Sequence, residues 1–208
     1  MYTLYYSPGA ASFCVHMALI EAGADYVLRC VDLDAGQQRD PAYLALNPNG
    51  VVPTLLIDGV AHSEAAALLM LLADRHPDAG LAPAADRADW YQWLVHLTNS
   101  VQPMLRLWWY PRDVPGAAEV EVAVKAAAVS KLEAAWQRID AHLQAHGPYL
   151  LGAEFSAADI FLTMLMRWSR HTPKQPIEWP ALRRLADLVK ARPSWKRVYA
   201  LEGLTEWS

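Results

Sequence analysis

Only two cysteines, Cys14 and Cys30, occur in the 208 residues of this chain, and they form neither a C-x-x-C pair nor a zinc-like spacing. A disulfide scaffold and a structural zinc module are thereby excluded, and a reduced, cytoplasmic residence is expected. Long apolar runs are missing as well: nothing approaches the roughly 18 residues that a membrane span needs. Charge of one sign is not in excess. The net charge is −4, without a run of like charges, which argues against a nucleic-acid partner and against an anionic membrane surface. The histidines, at 16, 62, 76, 96, 142, 146 and 171, show no metal-ligating pattern beyond the isolated pair His142 and His146, so no metal is expected. The opening Met1–Gly9 has no charged leader region and reads as a strand and a turn. Hydrophobic residues make up 54 % of the chain and charged ones 19 %, the composition of a well-packed globular protein.

The pattern changes character near residue 76. Before it, residues 2–6 read as a strand ending in Ser7-Pro8-Gly9. From Ala11, the positions of Val15, Ala18, Leu19 and Ala22 keep helical spacing until Gly23. Tyr26–Val31 reads as a second strand, parallel to the first because a helix separates them. A polar loop from Asp34 and a short helix over Pro41–Leu46 follow. Residues 54–57 and 60–62 form a hairpin through Asp58-Gly59, and a helix over Ser63–Arg75 closes the unit. After the linker at 77–86 no convincing strand remains. Trp90, Trp93, Leu94, Leu97, Val101, Leu105 and Trp108 share one stripe of a long helix that Pro103 is expected to kink. Leu132, Trp136, Ile139 and Leu143 repeat the pattern in a second long helix ending at Gly147, and two shorter helices follow near 180–192 and 194–201. The organisation is a thioredoxin-like α+β domain at 1–76, a linker at 77–86 and an all-α helical domain at 87–208.

One stretch is more informative than the rest: Asn47-Pro48-Asn49-Gly50-Val51-Val52-Pro53-Thr54-Leu55-Leu56-Ile57. Pro53 at the mouth of a strand loses no ladder N–H. If the Val52–Pro53 bond is cis, Val52 turns its own N–H and C=O outward to a peptide-like ligand. Together with Ser63, Glu64 and Ala65 opening a helix, this motif resembles the glutathione-binding half of the cytosolic glutathione transferases. Tyr5-Tyr6-Ser7-Pro8-Gly9-Ala10-Ala11-Ser12 is similar to the turn of the bacterial beta class, with Ala11 where that class has its cysteine. Phe155-Ser156-Ala157-Ala158-Asp159-Ile160 matches the family's helical domain almost letter for letter, as a capping-box variant with a folding role.

The resemblance implies the fold of that family and assigns roles to particular residues. Glutathione, the co-substrate, needs its thiol deprotonated, and a hydroxyl beside a helix N-terminus favours the thiolate. Ser12 and Tyr6 are the candidate catalytic hydroxyls. Val52, before Pro53, pairs with the cysteinyl unit in antiparallel fashion. Glu64 takes the γ-glutamyl ammonium, and the Ala65 N–H takes its carboxylate. Gln38 stands where family members contact the glycyl carboxylate, whereas Arg39 is expected in solvent. Met104, Trp108 and Trp109 stand in the helix that walls the electrophile pocket in this family, and Tyr110 lies beside them on another face. The implied activity is glutathione S-transferase: attack of the thiolate on a small hydrophobic electrophile, by a homodimer serving detoxification. The alternatives are a non-catalytic glutathione-binding protein, and glutathione-dependent peroxidase or isomerase chemistry on the same fold; the Ser-Ser-Cys turn of the zeta-type isomerases is missing.

Overall fold

The computed structural model describes residues 1–113 and 120–207. They divide into two compact units, Met1–Ala84 with Lys190–Ser208, and Ala85–Val189.

The first unit is built on β1 (Tyr2–Tyr6), α1 (Ser12–Glu21), β2 (Tyr26–Cys30), α2 (Pro41–Leu44), β3 (Thr54–Ile57), β4 (Val60–Ser63) and α3 (Ala65–Arg75). The sheet runs in the order β2-β1-β3-β4. β1 pairs parallel with β2, as a crossover through α1 requires, and antiparallel with β3. The Asp58-Gly59 turn closes the β3–β4 hairpin, with Asp58 at φ 52° and Gly59 at φ 87°. Strand alternation then sorts the aromatic residues of β1. Tyr2 and Leu4 are buried, and Tyr6 on the same face meets the ring of His16 in α1. Tyr5 faces the other way, into a cluster with Val31, Tyr43 and Val52. α1 is buried from Ser12 through Leu19, because it packs against α3 on one side and a C-terminal helix on another.

Two expectations need adjusting here. The helix expected from Ser63 begins at Ala65: Ser63 is held extended by its pairing with Thr54, and Glu64 reverses the chain at φ 72°. Residues 190–208, expected within the helical domain, pack with the first unit instead. Their helix α9 (Pro193–Glu202) lays Trp195 and Tyr199 against Phe13, with ring centroids 4.9 and 5.7 Å away.

The second unit holds α4 (Ala88–His96), α5 (Gln102–Trp109), α6 (Glu121–His146), α7 (Ala157–Trp168) and α8 (Pro180–Lys190). Its core is made by Trp90, Leu94, Leu97, Val101 and Leu105 packed with Leu132, Trp136, Ile139 and the fully buried face of α7, whereas Trp93 and Trp108 are only half-buried. The helix expected to kink at Pro103 is divided by a π-helical turn over Leu97–Val101. Pro103 has no N–H to give and its ring crowds the carbonyl four residues earlier, so the preceding turn widens. The capping box is formed: Asp159 accepts from the Ser156 N–H at 2.8 Å and from the Leu150 N–H at 2.8 Å, while the Ser156 hydroxyl accepts from the Ala158 N–H at 3.2 Å. Among the described residues no helix is long and apolar enough to cross a membrane.

Candidate functional site

Three chain segments converge at one end of the sheet. Thr54 is paired with Ser63 on one side and with Tyr5 on the other. The residues just beyond those pairs are therefore neighbours: Val52-Pro53 entering β3, Glu64-Ala65 leaving β4, and Tyr6 leading into the turn before α1. The Val52–Pro53 bond is cis. No backbone partner is found for Val52 among the described residues, so its N–H and C=O remain available to an extended ligand.

The loop behind Val52 is held from below. The Tyr43 hydroxyl donates to the Val51 carbonyl at 2.7 Å and lies 2.9 Å from the Thr54 hydroxyl. Asn47, 1 % exposed, donates from Nδ2 to the same carbonyl at 2.8 Å and to the Thr54 hydroxyl at 3.2 Å. Burial, Tyr43's first influence, pushes its hydroxyl pKa up against the pull of those bonds, so it stays a neutral donor. Gly50 cannot be replaced cheaply: its φ of 60° strains an L side chain, and a Cβ there would stand 3.0 Å from the Gln38 carbonyl oxygen. Arg39 is exposed, as expected, with the end of its side chain near Gly50.

Glu64 is exposed, and its φ of 72° is a left-handed value that a non-glycine residue adopts at a cost. It stands directly before the N-terminus of α3, where Ala65 offers one of the first free N–H groups of the helix. A carboxylate and helix N–H groups side by side suit a zwitterion, the carboxylate for its ammonium and the N–H groups for its own carboxylate.

The turn before α1 places the two candidate hydroxyls differently. Ser12 is fully buried, and its Oγ accepts from the Ser7 N–H and donates to the Ser7 carbonyl, both at 3.2 Å. Its hydroxyl closes the turn before α1. Tyr6 is half-buried against His16, with ring centroids 6.1 Å apart. Burial, then the neighbouring Cys30 and Glu202, hold its pKa above the usual phenol value. It stays protonated and able to donate.

Gln38 donates to the Leu33 carbonyl at 3.4 Å, and its buried Oε1 has no partner among the described residues. In the helical unit the three pocket residues part ways. Trp108 borders a groove of about 490 Å³ with Val122, Lys125, Ala126, Val129 and Pro173, and Lys125 Nζ lies 5.8 Å from its ring. Trp109 donates its indole N–H to the Trp168 carbonyl at 3.0 Å, and Met104 does not border that groove. Successive residues of a helix project about 100° apart, and that separates the two tryptophans.

Sequence reasoning missed Tyr5 and Asn47. Strand alternation was the available signal for Tyr5, since consecutive tyrosines cannot share a face. Asn47 stood in the motif, but its role depends on α2 lying beneath the loop.

Comparison with known proteins places both units in one family. The family model described as glutathione S-transferase, N-terminal domain, matches residues 11–75, and the model for the glutathione S-transferase C-terminal domain matches residues 122–200. Glutathione S-transferase GST-4.5 of Xanthomonas campestris pv. campestris is 32 % identical over 170 residues, 80 % of this chain and 81 % of that protein. Maleylacetoacetate isomerase of Pseudomonas aeruginosa is 31 % identical over 215 residues, 96 % of this chain and 94 % of its own. A solved glutathione transferase homologue from Sulfitobacter, with bound glutathione, superposes with a TM-score of 0.91 at 28 % identity and covers 99 % of each chain. With both family domains matched in order, the chain belongs to the glutathione S-transferase family.

Proposed function

We propose that this chain binds glutathione at the end of its four-stranded sheet and transfers the thiolate to a small hydrophobic electrophile. The observation that carries this reading is the Thr54–Ser63 pairing, which sets Val52 and the cis-Pro53 beside Glu64 and the first N–H groups of α3. Extended glutathione then pairs its cysteinyl unit with Val52. Its γ-glutamyl ammonium meets Glu64, and its γ-glutamyl carboxylate meets the Ala65 N–H. Gln38 and Arg39 are the donors on hand for the glycyl carboxylate.

The sulfur reaches the turn that opens α1. There the Ala11 and Ser12 N–H groups precede the first internal helix bond and carry the positive end of the helix dipole. They stabilise the thiolate, with the protonated Tyr6 hydroxyl as a side-chain donor. Ser12 contributes by closing the turn. Rate follows from a lowered thiol pKa and from holding the nucleophile against its electrophile. In this reading the electrophile is received at Trp108, and the protein works as a cytoplasmic homodimer; family resemblance supports both.

A second reading, glutathione-dependent isomerisation, is favoured by the maleylacetoacetate isomerase likeness over 96 % of the chain. Ala10-Ala11-Ser12 in the turn argues against it. Assay with an activated aryl halide, and separately with maleylacetoacetate, decides between them. Conjugation without isomerisation is expected. Isomerisation alone would overturn the transferase reading, and neither activity with retained glutathione binding would favour a binding protein.

A further inference from the structure

Glu202, the last residue of α9, carries a side chain with 0 % exposure. Taking a carboxylate out of water costs several kcal/mol unless donors replace the solvent. Each oxygen has one. Oε1 lies 2.8 Å from His16 Nδ1, and Oε2 accepts from the Gly9 N–H at 2.8 Å. His16 is itself fully buried, and its Nε2 lies 3.1 Å from the Tyr26 hydroxyl. With Nδ1–H given to the carboxylate, Nε2 is left to the Tyr26 hydroxyl, which can either donate to it or accept from it. A buried relay therefore runs from β2 through α1 to the end of α9, and from there onto the backbone of the turn before α1.

Tethering α9 does not require this arrangement. Phe13, Trp195 and Tyr199 already pack the helix against α1. At its other end Glu21 takes Arg192 Nε at 2.6 Å and Nη2 at 2.8 Å, together with the Ser194 hydroxyl. An apolar side chain at 202 would add to that packing without any desolvation cost. What an apolar group cannot do is accept a hydrogen bond from the Gly9 peptide. Gly9 sits at φ 66°, two residues before Ala11, so the plane of its peptide sets the direction in which the opening N–H groups of α1 point.

We propose that Glu202, held by His16, is a positioning residue for thiol activation: it fixes the Gly9 peptide so that the α1 N-terminus is aimed at the glutathione sulfur. The proposal rests on the glutathione reading above.

The test compares Glu202→Gln and His16→Gln with Glu21→Gln, which loosens the far end of α9 only. Each variant is first checked for Gly9 amide exchange without ligand, then for glutathione affinity by calorimetry, for the thiol pKa of bound glutathione by thiolate absorbance, and for kcat and KM. In Glu202→Gln the side-chain amide keeps one acceptor oxygen where two are needed, so Gly9 exchange is expected to speed up. The bound thiol pKa of that variant should rise by about one unit and kcat fall about tenfold, with glutathione KM within about threefold of wild type. His16→Gln should follow in the same direction, and Glu21→Gln should lose stability while its thiol pKa and kcat stay put. Glu202→Gln or His16→Gln that is less stable but unchanged in thiol pKa and kcat would overturn the proposal and leave a plain structural tie. Failure of the glutathione reading shows up separately, as a wild type that does not bind glutathione; the proposal then falls with it, even where Gly9 exchange responds.

Discussion

Asn47 donates to the Val51 carbonyl at 2.8 Å from beneath the cis-proline loop, and the same amide reaches the Thr54 hydroxyl where β3 begins. One buried side chain thereby fixes both ends of the peptide segment that presents Val52. Asn47→Ala leaves the Val51 carbonyl with Tyr43 as its remaining side-chain donor. A loss of about 1–3 kcal/mol of stability is expected in urea denaturation, the cost of unpaired buried groups. Calorimetry should also show weaker glutathione binding. Unchanged affinity with lowered stability would mean that Tyr43 positions the loop unaided.

Glu64 separates stability from binding. At φ 72° a glycine is unstrained, so Glu64→Gly should raise stability by roughly 1 kcal/mol in the same denaturation experiment. Glutathione affinity should nonetheless fall. Glu64→Gln keeps the backbone strain and removes only the charge, and a weakening of roughly tenfold or more is expected from a lost charge-assisted bond. Wild-type affinity in Glu64→Gln would rule out pairing with the γ-glutamyl ammonium.

Asp159 makes the capping box pH-sensitive. Burial is the main cause that pushes its pKa up to about 6, against the pull of the Leu150 and Ser156 donors. A carboxyl whose folded pKa lies above its unfolded value of 3.8 binds its proton more tightly when folded. Its contribution to stability is therefore full below about pH 4 and declines as pH rises through about 6, by roughly 3 kcal/mol in all. Asp159→Asn lacks that decline. The variant should be less stable throughout, and the gap to wild type should narrow between pH 4 and 7 in urea denaturation. A gap that widens over this range would contradict the assigned direction.

Trp108 and Trp109 should answer different assays. Trp108 borders the groove, and Trp108→Ala is expected to raise KM for a hydrophobic electrophile severalfold, by about 1–2 kcal/mol of lost apolar contact, with glutathione affinity retained. Trp109→Phe gives up the bond to the Trp168 carbonyl, so about 1 kcal/mol of stability should go, with little effect on electrophile KM. The reverse pattern would move the electrophile to the Trp109 side of α5.

What could be read in advance was what local sequence encodes. The Asp58-Gly59 hairpin, the Ser156–Asp159 capping box and the Gly-x-Val-Pro-Thr entry to β3 each carry their signal within a few residues. What could not be read depends on residues far apart in the chain. Ser12 reads as a candidate catalytic hydroxyl at a helix start, and its burial follows from packing that surrounds α1 on nearly every side. His16 and Glu202 are 186 positions apart, and neither is unusual in its own neighbourhood. The return of α9 to the first unit has the same origin: its apolar face shows that it is buried, not what buries it. Pro103 announced a break, but the π turn falls over Leu97–Val101, ahead of the proline and not at it.

The measurement that bears most directly on thiol activation is an ultraviolet titration of glutathione bound to the wild-type protein, following thiolate absorbance against pH, with Tyr6→Phe in parallel. A bound thiol pKa well below that of free glutathione is expected, with part of the shift lost in Tyr6→Phe and the rest kept by the α1 N–H groups. Glutathione that binds with an unshifted thiol pKa would contradict the account.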